Sequence, residues 1–134
     1  MHRGSCQCGA INYEIRGKLG AVVFCHCSRC RKAQGSAFAS NAPVQAADFS
    51  ISDPDGALIE YESSPGKVRA FCGRCGSPIY SQLRQKPEVL RLRLGTLDTP
   101  VDSQPTAHIY ASSKAEWYEI LDELPQYDER EPGR

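Results

Sequence analysis

The sequence lacks a surplus of charge of either sign: 16 lysines and arginines are matched by 16 aspartates and glutamates. Proteins that grip a phosphate backbone draw their affinity from excess positive charge, so no nucleic-acid partner is expected. Long apolar runs are also missing. Nothing approaches the ~20 residues of a membrane span, and no membrane partner is expected. The opening Met1-His2-Arg3-Gly4-Ser5-Cys6 has no apolar core of a secretion signal. A cytoplasmic location is the expectation. There is no internal repeat and no low-complexity segment.

What remains is an ordinary globular composition, 40% hydrophobic and 24% charged over 134 residues. That length suits one domain with a real core. We expect the domain to occupy residues 1–127 and residues 128–134 to form a loose charged tail.

One residue is abundant. Seven cysteines stand at positions 6, 8, 25, 27, 30, 72 and 75. An odd count in a reducing compartment fits disulfides poorly. Every cysteine has another within three positions, which suits chelation of an ion by a short loop. Zinc is favoured over iron–sulfur because the short knuckles match zinc-ribbon spacing.

Glycine and proline at short intervals predict many short strands rather than long helices. Strands are expected over residues 8–16, 58–62, 68–71, 79–83, 89–94 and 108–111. In 89–94, Leu90, Leu92 and Leu94 alternate with Arg91 and Arg93. Residues 28–34 predict a short helix stopped by Gly35. Ser113-Lys114-Ala115-Glu116 reads as a capping box for a helix through about Leu121, ended by Pro125. Trp117 and Tyr118 would be core residues on that helix.

The cysteines form three groups. Cys72-Gly73-Arg74-Cys75-Gly76 is a zinc knuckle, and two thiolates need a partner pair. Cys6/Cys8 is the obvious candidate, giving a closed structural site of four thiolates. Cys25, Cys27 and Cys30 would then form a second site of three, with an open position of the kind catalytic zinc keeps. The other pairing, in which one of Cys25, Cys27 or Cys30 completes a site with Cys72/Cys75, is not decided by spacing. His26 lies between two ligands and is read as a structural neighbour rather than a ligand. His108 is read as a satisfied strand histidine. Arg29, Arg31 and Lys32 surround the second group. They are either a solvated face or the contacts for substrate carboxylates.

Together these segments resemble the glutathione-dependent formaldehyde-activating enzyme family, also called the GFA or CENP-V type. The resemblance rests on Gly4-Ser5-Cys6-Gln7-Cys8-Gly9, Cys25-His26-Cys27-Ser28-Arg29-Cys30-Arg31-Lys32 and Phe71-Cys72-Gly73-Arg74-Cys75-Gly76-Ser77. Gly95-Thr96-Leu97-Asp98, His108-Ile109-Tyr110, Ser113-Lys114-Ala115 and Trp117 extend it to the C-terminal part. The resemblance implies a mainly β fold, a β-tent of small antiparallel sheets built around two zinc sites, with short helices only. By motif it assigns Cys6, Cys8, Cys72 and Cys75 to the structural zinc and Cys25, Cys27 and Cys30 to the catalytic zinc. It implies a carbon–sulfur lyase type of reaction on a small thiol or thiol–aldehyde adduct, as in S-hydroxymethylglutathione formation. The contrasting expectation, motivated by the lack of an obvious acid–base pair, is a non-catalytic zinc-stabilised binding module.

Overall fold

The computed structural model describes residues 1–133 and is mainly β. Three strands, β1 (His2–Ser5), β2 (Asn12–Ile15) and β5 (Phe49–Ser52), form an antiparallel sheet in the order β1-β2-β5. The other seven are β3 (Val22–Cys25), β4 (Ala39–Gln45), β6 (Leu58–Ser64), β7 (Lys67–Cys72), β8 (Pro78–Leu83), β9 (Val89–Arg93) and β10 (Pro105–Ile109). They form a second sheet in the order β10-β3-β4-β9-β8-β7-β6. Its neighbours are antiparallel except β10, which runs parallel to β3 with Ile109 beside Cys25. The expected all-antiparallel pattern is therefore broken at one pair, the pair that carries His108 to the second cysteine group.

Binary patterning explains the sheet faces. In β2, Tyr13 and Ile15 are buried while Asn12 and Glu14 are exposed, the alternation of a half-buried strand. They join Cys6, Ile11, Val44, Cys72, Ile79 and Leu92 in one core. A second core gathers Val23, Cys25, Cys30, Ala39, Ala107 and Ile109. In β9, Leu90 and Leu92 are both buried as the alternation predicts, and Leu92 belongs to the first core. Arg93 does not reach solvent on the opposite face: it is 3% exposed. Both faces of this central strand are covered, so the period-two pattern reports the faces correctly but not what lies over them. Leu94 has already left the strand for the 3-10 turn Leu94–Thr96.

α1 (Ser28–Gln34) is the one α-helix among the described residues. Its N-cap is Cys27, whose sulfur accepts from the Cys30 N–H at 3.3 Å, a place usually taken by Ser or Asp. Gly35 ends it in the left-handed region at φ 61° and returns its N–H to the Arg31 carbonyl.

The helix expected after Ser113 does not form. Only the 3-10 turn Ala111–Ser113 is present. Lys114 Nζ donates to the carbonyls of Ala115 and Tyr118, capping oxygens that a continuing helix would use itself. Further on, the chain is held extended against β10: His108 N–H bonds to Pro125 O, and Tyr127 N–H to His108 O. A helix would shorten this segment and forfeit those bonds. Trp117, expected in the core, is 74% exposed. At the start of the expected loose tail, the Tyr110 N–H bonds to Glu129 O and the Ser112 hydroxyl to Asp128 O. Residue 134 of that tail lies outside the described residues.

In the three-stranded sheet, Gly4 of β1 stands opposite Tyr13 of β2. A Cβ there would stand 2.2 Å from the ring end of Tyr13 and 2.6 Å from the Thr96 carbonyl. Tyr13 is buried, with its hydroxyl 2.7 Å from Thr96 Oγ1, so it has no free direction in which to yield. Gly4→Ala is expected to destabilise the chain by about 1–3 kcal/mol through overpacking. Urea unfolding checks this as a lower midpoint at unchanged slope.

Candidate metal centres

The first centre joins the β1–β2 loop to the turn between β7 and β8. Cys6 follows β1, and its sulfur accepts the Ile11 N–H at 3.3 Å. Cys72 ends β7. A Cys72 N–H to Ser77 O bond and a Gly76 N–H to Cys72 O bond close the knuckle around Cys75. Gly76 has φ 81°, a conformation that costs glycine nothing and a side-chain-bearing residue much. Gln7 N–H reaches Ser77 Oγ at 2.9 Å and stitches the two loops together. The four sulfurs of Cys6, Cys8, Cys72 and Cys75 lie within 4.8 Å of one another. Two of the separations are 3.6 and 3.8 Å. A tetrahedron of thiolates with metal–sulfur bonds of about 2.3 Å has edges of about 3.8 Å. The donor set therefore fits one ion. The Ser77 hydroxyl and then its N–H bond to Cys75 and bring its thiol down to about 5.

The second centre is local in sequence. Cys25 ends β3, Cys27 caps α1 and Cys30 sits in its first turn. Their three sulfurs also lie within 4.8 Å of one another, and no fourth cysteine, histidine or carboxylate joins them among the described residues. The alternative pairing left open by spacing, with Cys72/Cys75 drawn to this group, is not the arrangement the fold adopts.

Two buried arginines that no sequence motif marks stand beside this centre. Arg69 on β7 donates to Cys30 Sγ at 3.6 Å and to Ser63 Oγ at 2.9 Å. Arg93 on β9 donates to the Asn41 side-chain carbonyl. Burial brings Arg93 down to about 10, yet it stays charged at neutral pH, helped by the negative charge of Cys30. Hydrogen bonds from Cys25 and Cys27, and then the charges of Arg93 and Arg69, hold the Cys30 thiol far below the ordinary range. Cys25 moves the other way, because its bonds to Cys27 and Cys30 favour its neutral form. The signal available in sequence was the alternation in β9, which marks Arg93 as facing away from the leucines but not as facing sulfur.

A cavity of about 520 Å³ opens on Cys25, Cys27 and Cys30. Its walls carry Arg29, Lys67, Arg69, Lys86, Arg91 and Arg130 against a single acid, Glu88. A chain with no net charge has thus concentrated cations around one mouth. Ser81, 1% exposed, lines the same space, and its hydroxyl has no hydrogen-bond partner. Of the three basic residues singled out in sequence, Arg29 lines this cavity. Lys32 lines a second one of about 540 Å³ that shares Arg29 and Arg69 with the first. Arg31 spends its Nε on the His26 carbonyl at 3.2 Å.

His26 and His108 are fully buried. His26 stays out of the sulfur cluster. Its Nε2 lies 2.8 Å from His108 Nδ1, and burial, the largest cause, brings it down to about 4. His108 Nε2 meets the Asp122 carboxylate at 2.9 Å, and this bond holds Asp122 below its usual range.

The sequence matches the profile of the family described as glutathione-dependent formaldehyde-activating enzyme over residues 1–113. The chain belongs to that family. Both cysteine groups, and the helix that carries Cys30, fall inside the matched region. A crystal structure of a Rhodobacter sphaeroides protein is similar in shape, with a TM-score of 0.63 over 92% of this chain and 98% of that one. At 23% identity the likeness speaks for the fold. No helix of the described residues is long and apolar enough to cross a membrane.

A closed four-sulfur site couples metal binding to folding. Structural zinc in small peptides contributes about 10–16 kcal/mol, against a net stability of about 5–15 kcal/mol for a typical domain. Stripping the ion from the four-cysteine cluster with a strong chelator is expected to unfold much of the chain. Far-UV circular dichroism during chelation would show it as loss of the β signal.

Proposed function

We propose that this chain is a zinc-dependent enzyme of the carbon–sulfur lyase type, acting on a small thiol–aldehyde adduct such as S-hydroxymethylglutathione. The observation that carries this reading is the second centre: three sulfurs within 4.8 Å, one short of a tetrahedral set, at the wall of a strongly basic cavity. Membership of the family supplies the thiol and the aldehyde. Two zinc ions per chain are proposed, one held by Cys6, Cys8, Cys72 and Cys75 for structure and one by Cys25, Cys27 and Cys30 for catalysis. Seven unbridged cysteines suit a reducing compartment, and the cytoplasm is the proposed location.

When bound at the second centre, zinc supplies the Lewis acidity that keeps a small thiol deprotonated at neutral pH. The chain's own residues do the rest. Arg29 at the mouth attracts a carboxylate of the substrate, for which guanidinium geometry suits two parallel bonds. Lys32 extends the same basic surface from the second cavity, while Arg31, which lines neither cavity, would act on substrate only through its remaining guanidinium nitrogens. Arg69 and Arg93 balance negative charge at Cys30, so a further anion can approach three thiolates without prohibitive repulsion. Ser81 offers an unengaged hydroxyl to a polar atom of the substrate. In the forward direction the substrate sulfur forms a bond to the carbonyl carbon while the carbonyl oxygen takes up a proton. In reverse that carbon–sulfur bond breaks and the hydroxyl proton is returned.

Cys27→Ser is expected to abolish turnover of thiol and aldehyde while leaving the circular dichroism spectrum nearly unchanged. Full activity in that variant would sink the mechanism. Arg29→Glu is expected to raise the KM for a carboxylate-bearing thiol at unchanged zinc content. Wild-type protein with both ions bound and no turnover across thiol and aldehyde panels would favour the non-catalytic binding module.

A further inference from the structure

His26 is the residue between two proposed metal ligands, and each of its bonding groups but one is engaged. Its N–H donates to Ile109 O at 3.0 Å on β10. Its carbonyl accepts from Arg31 Nε at 3.2 Å on α1. Its ring Nε2 meets His108 Nδ1 at 2.8 Å. The ring Nδ1 is buried without a partner. We propose that Asp122, His108 and His26 form a directed hydrogen-bond chain that holds Cys25 and Cys27 in ligating geometry, with His108 and Asp122 as positioning residues for the three-cysteine centre.

The direction of the chain follows from its outer end. An ionised carboxylate can only accept. The Asp122 oxygens stand 3.1 and 2.9 Å from His108 Nε2, so that nitrogen carries the hydrogen. A neutral imidazole has one N–H, which leaves His108 Nδ1 as a lone pair. His26 Nε2 must then donate to it, and His26 Nδ1 is left bare. In this direction the unpartnered Nδ1 of His26 is a lone pair, whereas the reverse direction would bury an N–H without an acceptor. Both rings are fully buried and lie against Phe38, with His108 also against Phe24 and His26 against Tyr118. That packing leaves little room for another rotamer.

The mechanical consequence is specific. Two of the three anchors of His26 are main-chain bonds or come from the adjacent helix. The third depends on residues 82 and 96 positions away along the chain. Asp122 touches neither sulfur cluster, yet it sets the tautomer of a ring carried by the peptide that joins Cys25 to Cys27. Partners bonded directly to metal ligands commonly orient them, and losing one typically weakens metal binding about 10–100-fold; here the bond acts one step further out, through the residue between two ligands. The proposal rests on the second centre holding a metal, but on no particular reaction.

The test uses the full chain with its metals. Imidazole 15N shifts of wild-type protein are expected to show hydrogen on His108 Nε2 and His26 Nε2, with both Nδ1 atoms bare. Asp122→Asn keeps shape at a half-exposed position, and His108→Gln removes the relay itself. In cobalt-substituted protein each is expected to shift the absorption of the three-cysteine centre. Each should also speed its metal loss to a chelator about tenfold. The four-cysteine centre, the internal control, should lose metal at the wild-type rate. Hydrogen on His108 Nδ1 would overturn the proposal. So would unchanged metal loss in both variants, or equal acceleration at both centres, which is general loosening. A wild-type chain binding one ion per molecule would overturn the metal reading of the second centre, and the positioning role with it. Two ions with unaffected variants would overturn the positioning role alone.

Discussion

Four sulfurs from segments 64 positions apart must meet within 4.8 Å for the first centre to exist, and that requirement organises the molecule. Cys6 and Cys72 are members of the larger hydrophobic core as well as of the cluster. Packing therefore delivers the sulfurs, and the sulfurs, once bridged by an ion, hold the packing. The two cross-links of different kind act on the same joint between the small sheet and the knuckle of the large one. The Gln7–Ser77 bond and the close approach at Gly4 belong to that joint too.

The second centre is built by the opposite logic. Its three cysteines lie within six residues, so the local strand-to-helix turn brings them together without long-range help. Distant residues supply its surroundings. Arg69 and Arg93 arrive from β7 and β9, His108 from β10, and Asp122 from the extended segment beyond. Buried cations beside buried thiolates are tolerable only as a set, since either charge alone would be costly away from water. The arrangement leaves negative charge on Cys30 and a surplus of cations at the cavity mouth. Such a mouth attracts anions in a chain whose total charge is zero.

The histidine pair shows how a polar network can be buried without being a ligand set. Neither ring enters the sulfur cluster, although His26 is flanked by two of its members. The ring bonds satisfy His108 completely and leave a single nitrogen of His26 unmatched. The segment over residues 114–127 closes this network from outside: it turns at residues 115–118 and then continues without a helix to lie along β10. Its bonds to β10 come from Pro125 and Tyr127, positions that a helix through Leu121 would have drawn away.

Cysteine spacing, period-two patterning and the short helix with its glycine stop were legible in the sequence, because each depends on residues that are neighbours along the chain. The grouping of Cys25, Cys27 and Cys30 is of that kind, and so is the inward face of β9. β1, β3, β4 and β5 were not read, because four-residue strands and a proline-bearing strand carry little local signal. Pro43 is accommodated in β4 because Val23, Phe24 and Cys25 of β3 pair only with Asn41, Ser40 and Ala39, short of the proline. The pairing of Cys6/Cys8 with Cys72/Cys75 could be proposed from chemistry, but only the sheet register decides it. The burial of Arg93, the exposure of Trp117 and the Asp122–His108–His26 chain were decided by tertiary structure alone. Each depends on what a distant segment lays over a face, and a sequence records the face but not its cover.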